Sequence, residues 1–157
     1  MQGLAGESCL GQNTGEIGAS KRDLTRLKQL AASRYKNGKP LSEDPRFQDR
    51  VSRVEVELMA LEVTNLRFLD QIQRGRELGA EVSLLKVRGT EIQQALTELM
   101  LDVAGPLAAP AYPMPDMDFD THTANLAQRY CNYRKASIYA GSNEIQRNII
   151  AKMSLGL

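Results

Sequence analysis

From Phe47 onward the apolar positions of this chain fall at Phe47, Val51, Val54, Leu58, Leu61, Asn65, Phe68 and Ile72, in steps that alternate four and three. Only an α-helix returns side chains to one face at that interval, and the narrow stripe it makes is the seam of a long bundle helix. Pro45 suits its first turn and Gly75 its end. A second seam runs through Leu85, Gly89, Ile92, Leu96, Leu99 and Val103, and Gly105-Pro106 stops it. Each helix should reach about 20 residues, well above the usual length of about 11–12. Gly89 lies on the second seam, where a missing side chain lets helices approach closely. Asn65, polar on an apolar seam, is placed to hydrogen-bond across the bundle or to fix its register.

Shorter helices bracket this pair. One should run from Ser20, as N-cap, to about Tyr35, carrying Leu24, Leu27, Leu30 and Ala31. Another should start at Thr121 or Thr123, with Leu126, Tyr130 and Tyr133 on one face. Between them, Lys36 to Pro45 reads as a loop, and Ala108 to Asp120, with its prolines, as a longer one. No stretch alternates with period two, so no strand is expected. The fold class is therefore all-α, an up-down four-helix bundle with an additional C-terminal helix. Residues 1–19 hold five glycines before Ala19 and no sustained periodicity, and are expected to be poorly ordered. Residues 20–157 are expected to form the bundle.

At 157 residues the chain can bury a substantial core as one domain. A net charge of +1 gives no electrostatic basis for nucleic acid or an anionic membrane. With no Trp and few aromatics there is little surface on which bases could stack. Two cysteines, Cys9 and Cys131, and a single histidine, His122, do not make the common zinc patterns, so no metal is expected. No apolar run is long enough to span a bilayer. His122 is read as a surface or cap residue, and Arg147 and Lys152 as ion-pairing residues.

The last residues, from Ser137 to Leu157, carry the chemistry. A tight Tyr139-Ala140-Gly141-Ser142 turn enters a helix whose apolar face is Ile145, Ile149 and Met153. Ser142 or Asn143 caps it, and Asn143 with Gln146 has capping-box spacing. An ordinary capped helix and an anion site at an exposed helix N-terminus both fit this pattern.

The run Tyr-Ala-Gly-Ser-Asn-Glu-Ile-Gln-Arg-Asn-Ile-Ile-Ala-Lys, closing on Leu155-Gly156-Leu157, resembles the C-terminal signature of acyl-CoA dehydrogenases. A weaker likeness extends back through Gly89-Thr90-Glu91-Ile92-Gln93-Gln94 and Gly18-Ala19-Ser20-Lys21. The resemblance implies the C-terminal helical domain of an FAD-dependent enzyme that dehydrogenates acyl-CoA thioesters, in a bacterial cytoplasm or a mitochondrial matrix. It implies cofactor contacts at Gly141, Ser142, Asn143 and Glu144, with the serine on a phosphate oxygen and the glutamate on a ribose hydroxyl. It places Arg34 against the FAD of a neighbouring subunit, in a homodimer, homotetramer or heteromer.

The same resemblance exposes a departure. The commonest base of the family is a glutamate where this chain has Ala140, and a methyl group takes no proton. A second branch carries its base in a Leu-x-x-Glu-Arg context, and Leu4-Ala5-Gly6-Glu7 has part of that pattern, with Ser8 in place of the arginine. Glu7 is thus the candidate base, and Glu16, in the same segment, a weaker one. The domains that supply most of the flavin and acyl-CoA pocket precede this one in the family. The expectation is a chain inactive by itself, or a non-catalytic assembly module that pairs with a complete homologue.

Overall fold

The computed structural model describes residues 3–108 and 125–156. Five α-helices account for most of them: α1 (Gly3–Ser33), α2 (Pro45–Gln73), α3 (Val82–Ala104), α4 (Leu126–Tyr133) and α5 (Asn143–Leu155). Thr121, Thr123, His122 and most of the proline-rich loop lie outside the described residues.

α2 is the helix its heptads predict. Phe47, Val51, Val54, Leu58, Leu61, Asn65 and Phe68 are all buried along one face, and Ile72 is half-buried against the core. Asp44 caps it by accepting from Arg46 N (2.9 Å) and Phe47 N (3.4 Å), with Pro45 in the first turn. Gly75, at φ 72°, takes the left-handed conformation just past the end. Asn65 does reach across the bundle, its Nδ2 donating to Thr14 Oγ1 of α1 at 2.9 Å.

α3 is the centre of the molecule, packed against α1, α2, α4 and α5 at once. Its buried surface is accordingly wider than its seam, adding Val87, Thr90, Gln93, Thr97, Met100 and Ala104. Leu27, Leu58, Leu85, Ile92, Leu96 and Met100 are the largest fully buried side chains. Each contributes on the order of 1.5–3 kcal/mol by leaving water. Around the rim, Lys21–Glu62 and Lys28–Glu55 join α1 to α2, and Arg50–Asp102 joins α2 to α3. Exposed pairs of this kind add about 0.2–1 kcal/mol each and serve mainly to favour the register.

The structure revises three expectations. First, α1 starts at Gly3, so Ser20, expected as its cap, is an interior residue only 4% exposed. The reason lies in the period itself: Ile17, Ser20, Leu24, Leu27 and Ala31 already step three and four, and all are buried. The bundle seam therefore begins upstream of Ser20 and overrides the glycines beside it. Second, a two-stranded ribbon interrupts the expected loop, pairing Tyr35 with Pro40 and Lys36 with Lys39. Asn37 (φ 53°) and Gly38 (φ 77°) make its turn, the Asn-Gly chemistry of a tight hairpin. Third, the apolar face of α5 is left open by the described residues: Ile145 is 54% and Met153 69% exposed.

Candidate functional site

A 3-10 turn, Arg134–Ser137, leads from α4 into the terminal motif. Ile138 N and Tyr139 N both donate to Lys135 O, at 2.9 and 3.1 Å. The backbone then turns left-handed twice in succession, at Ala140 (φ 55°) and Gly141 (φ 85°). Glycine adopts that region freely, but alanine does so at a cost of roughly 1–2 kcal/mol, so Ala140 is held there by its surroundings. Ser142 is the cap, its Oγ accepting from Ile145 N at 3.4 Å. The predicted Asn143–Gln146 capping box does not form, since Asn143 is the first residue of α5 and the residue three after the Ser142 cap is Ile145, whose side chain has no acceptor.

Asn143 is 4% exposed, and its side chain is engaged inside the fold. Its Nδ2 donates to Thr90 Oγ1 at 3.0 Å, and its Oδ1 accepts from Lys86 Nζ at 2.8 Å. Thr90 Oγ1 in turn donates to Val87 O at 2.9 Å. Arg147 of α5 pairs with Glu91 at 2.6 Å, as an ion-pairing residue should. The motif is therefore fastened to the middle of α3. Burial pushes the Lys86 ammonium below its ordinary range, against the opposing pull of Glu144 and Glu16.

Gly141, Ser142 and Glu144 form the outer surface of the turn. Glu144 is held below its usual range by its own backbone N–H and by the Ser142 hydroxyl, with Arg147 and Lys86 adding to the effect. The positive end of the helix dipole, a serine hydroxyl and an ionised carboxylate lie together here, with Ile145 N–H, Glu144 N–H and the Ser142 hydroxyl already engaged within the turn. Among the described residues no cluster of His, Cys, Asp and Glu could hold a metal ion.

Beside the turn lies a cleft of about 310 Å³, walled by Glu16 and Ala19 of α1, Gln93 of α3, Asn132 and Tyr133 of α4, and Tyr139, with Lys135 at its edge. Burial, then the charge of Glu16, raises the Tyr139 phenol above its usual range. Glu7 lies nine residues from Glu16 on the same helix, about 14 Å along the axis. Arg34 follows the far end of α1, where its carbonyl accepts from Leu41 N at 2.7 Å. From Ala19 at the cleft to Ser33 the helix runs about 21 Å, so within one chain Arg34 and the terminal turn are apart.

Lys86, Thr90 and Gln93 escaped the sequence reading. A signal was present: Lys86, Thr90, Gln93 and Thr97 step four, three and four, a polar stripe with the same period as the apolar seam beside it.

The profile of the acyl-CoA dehydrogenase C-terminal domain matches residues 10–155. The chain belongs to this family. Acyl-CoA dehydrogenase IpdE1 of Mycobacterium tuberculosis is 32% identical over 152 residues, which are 97% of this chain and 35% of that protein. Among solved structures, a glutaryl-coenzyme A dehydrogenase in complex with glutaryl-CoA superimposes with a TM-score of 0.78 at 20% identity, over 98% of this chain and 36% of that one. PigA with FAD and proline gives a TM-score of 0.77 at 20% identity, over 96% and 36%. These likenesses establish the fold, and the chain spans about a third of the length of each relative. In this acyl-CoA dehydrogenase domain the two left-handed residues of the terminal motif are Ala140 and Gly141, and the carboxylate in the adjoining cleft is Glu16.

Proposed function

We propose that this chain is the C-terminal helical domain of an FAD-dependent acyl-CoA dehydrogenase, contributing flavin contacts and an assembly surface. The reaction removes the α-proton of an acyl-CoA thioester and delivers the β-hydrogen to bound flavin, which supplies the hydride acceptor. The observation that carries the reading is the turn from Tyr139 to Ser142, left-handed twice, serine-capped and fastened to α3 through Asn143. Gly141, Ser142 and Glu144 would hold one edge of FAD, with Asn143 as the residue that fixes their position. Arg34, about 21 Å down α1 from the cleft, serves a flavin carried by a neighbouring subunit. α1 carries the carboxylate that removes the proton, with Glu7 in the role by resemblance.

A chain spanning about a third of its relatives supplies only part of the pocket, so by itself it should be inactive. Purified alone it should show no flavin absorption and should not oxidise acyl-CoA. FAD in large excess should still shift the amide resonances of Ser142 to Ile145. A yellow, stoichiometric complex that turns over acyl-CoA overturns the inactivity, and an unresponsive turn overturns the flavin contact.

Ala140 favours a second reading, a non-catalytic subunit that completes a homologous enzyme without supplying its base. The two readings divide on Glu7→Gln in the assembled protein. Loss of turnover there points to a dehydrogenase whose base lies on α1, and unchanged turnover points to a structural partner that leaves the base to another chain.

A further inference from the structure

The cleft beside the terminal turn is polar where a pocket for a hydrocarbon chain should be apolar. Gln93 stands in its wall and is only 8% exposed. Its backbone carbonyl accepts from Thr97 Oγ1 at 3.1 Å, yet among the described residues none hydrogen-bonds its side-chain amide. The amide atoms are open to the cleft, where water or a ligand completes their hydrogen bonds. The neighbouring Gln94 shows the contrast: its Nε2 lies 3.2 Å from both Tyr133 O and Ser137 Oγ, bracing the opposite wall. Asn132 adds a second amide, and Tyr133 and Tyr139 add phenols. The two charges at the cleft, Glu16 and Lys135, are of opposite sign and favour neither an anion nor a cation. What suits such a wall is a neutral oxygen.

Resting on the dehydrogenase reading, we propose that this cleft binds an acyl group bearing a hydroxyl or carbonyl oxygen away from the thioester, and that Gln93 is the specificity-determining residue. An alkyl chain in the same place would desolvate the Gln93 amide without replacing its hydrogen bonds, whereas a hydroxyl both donates and accepts.

The test compares hexanoyl-CoA with ω-hydroxyhexanoyl-CoA on the full chain, following the side-chain amide resonances of Gln93 and Asn132. The hydroxylated thioester should move both at a concentration about tenfold lower than the alkyl one. In Gln93→Met, near in volume, the preference should vanish while the melting temperature shows the fold intact. Equal response to the two thioesters, or no response to either, overturns the proposal. The dehydrogenase reading is judged apart from this, by the response of Ser142 to Ile145 to FAD. If FAD moves that turn while the thioesters do not differ, only the cleft assignment falls.

Discussion

Asn143 and Thr90 are 53 residues apart in sequence and bonded in the structure, with Asn143 Nδ2 donating to Thr90 Oγ1 at 3.0 Å. Both are buried, and Lys86 donates to the remaining oxygen of the same amide. This bond ties the first residue of the terminal helix to the centre of the bundle. The turn that carries Gly141 and Ser142 is thereby set by α3 rather than by its own local geometry.

Breaking that bond should be felt in stability before it is felt in chemistry. Asn143→Ala leaves the Thr90 hydroxyl and the Lys86 ammonium without their partner, and should lower stability by about 1–3 kcal/mol. Thr90→Val removes the other half. The double variant should cost less than the two single losses added together, because both act on one interaction. Urea denaturation measures all three, and strict additivity would show that the two residues do not act as a pair.

Acid should weaken the two helix N-termini together. Asp44 lies below its ordinary 3.8 chiefly because Arg46 N–H donates to it, and Glu144 below its ordinary 4.5 because its own N–H and the Ser142 hydroxyl do. In the folded state both carboxyls release their protons at lower pH than in the unfolded chain. Between the two values the unfolded chain binds more protons, so stability falls as pH falls. The loss should begin near pH 4.5 and continue below 3.8. Asp44→Asn with Glu144→Gln should flatten that slope in urea midpoints taken across the range, and an unchanged slope would remove these carboxyls as its cause.

How much of this was legible in the sequence depended on whether the partner was local. The seam of α2 was readable residue by residue because a heptad encodes burial directly, and Asn65 stood out as the one polar member. The start of α1 was missed because Gly15 and Gly18 signal a loop locally, while packing of Ile17 and Ser20 inside the bundle decides the outcome. The Asn37-Gly38 hairpin carried a known turn signal, which the flanking proline and lysines masked. At the site, the Tyr139-to-Ser142 turn was visible, but the task of Asn143 was not. Its spacing to Gln146 describes a cap, whereas its actual partner lies across the molecule.

Gly89 offers a test of helix proximity. A Cβ added there would meet Leu61 Cδ2 at 3.8 Å, an ordinary contact. Gly89→Ala should therefore gain the helix-propensity difference, about 0.5–1 kcal/mol, without a clash. A higher melting temperature is the expected result. A lower one would mean that α2 and α3 need the closer approach that only glycine permits.

The surface of α2 opposite its seam bears on assembly. Val56, Met59, Val63 and Leu66 step three, four and three along it, and each is at least 55% exposed. A second heptad stripe on one helix, left open to water, is what an assembly surface would look like before its partner arrives. Val63→Glu places a charge at its centre. Since Val63 is 56% exposed among the described residues, folding stability should change by no more than about 0.5 kcal/mol. Association, whether with a second copy or with a complete homologue, should fall sharply in sedimentation velocity at the concentration where the unsubstituted chain associates. If Val63→Glu associates as well as the parent, the stripe is not the assembly surface. If it unfolds instead, the face is less open than its exposure indicates, and the apolar residues of α5, Ile145 and Met153, become the surface to test next.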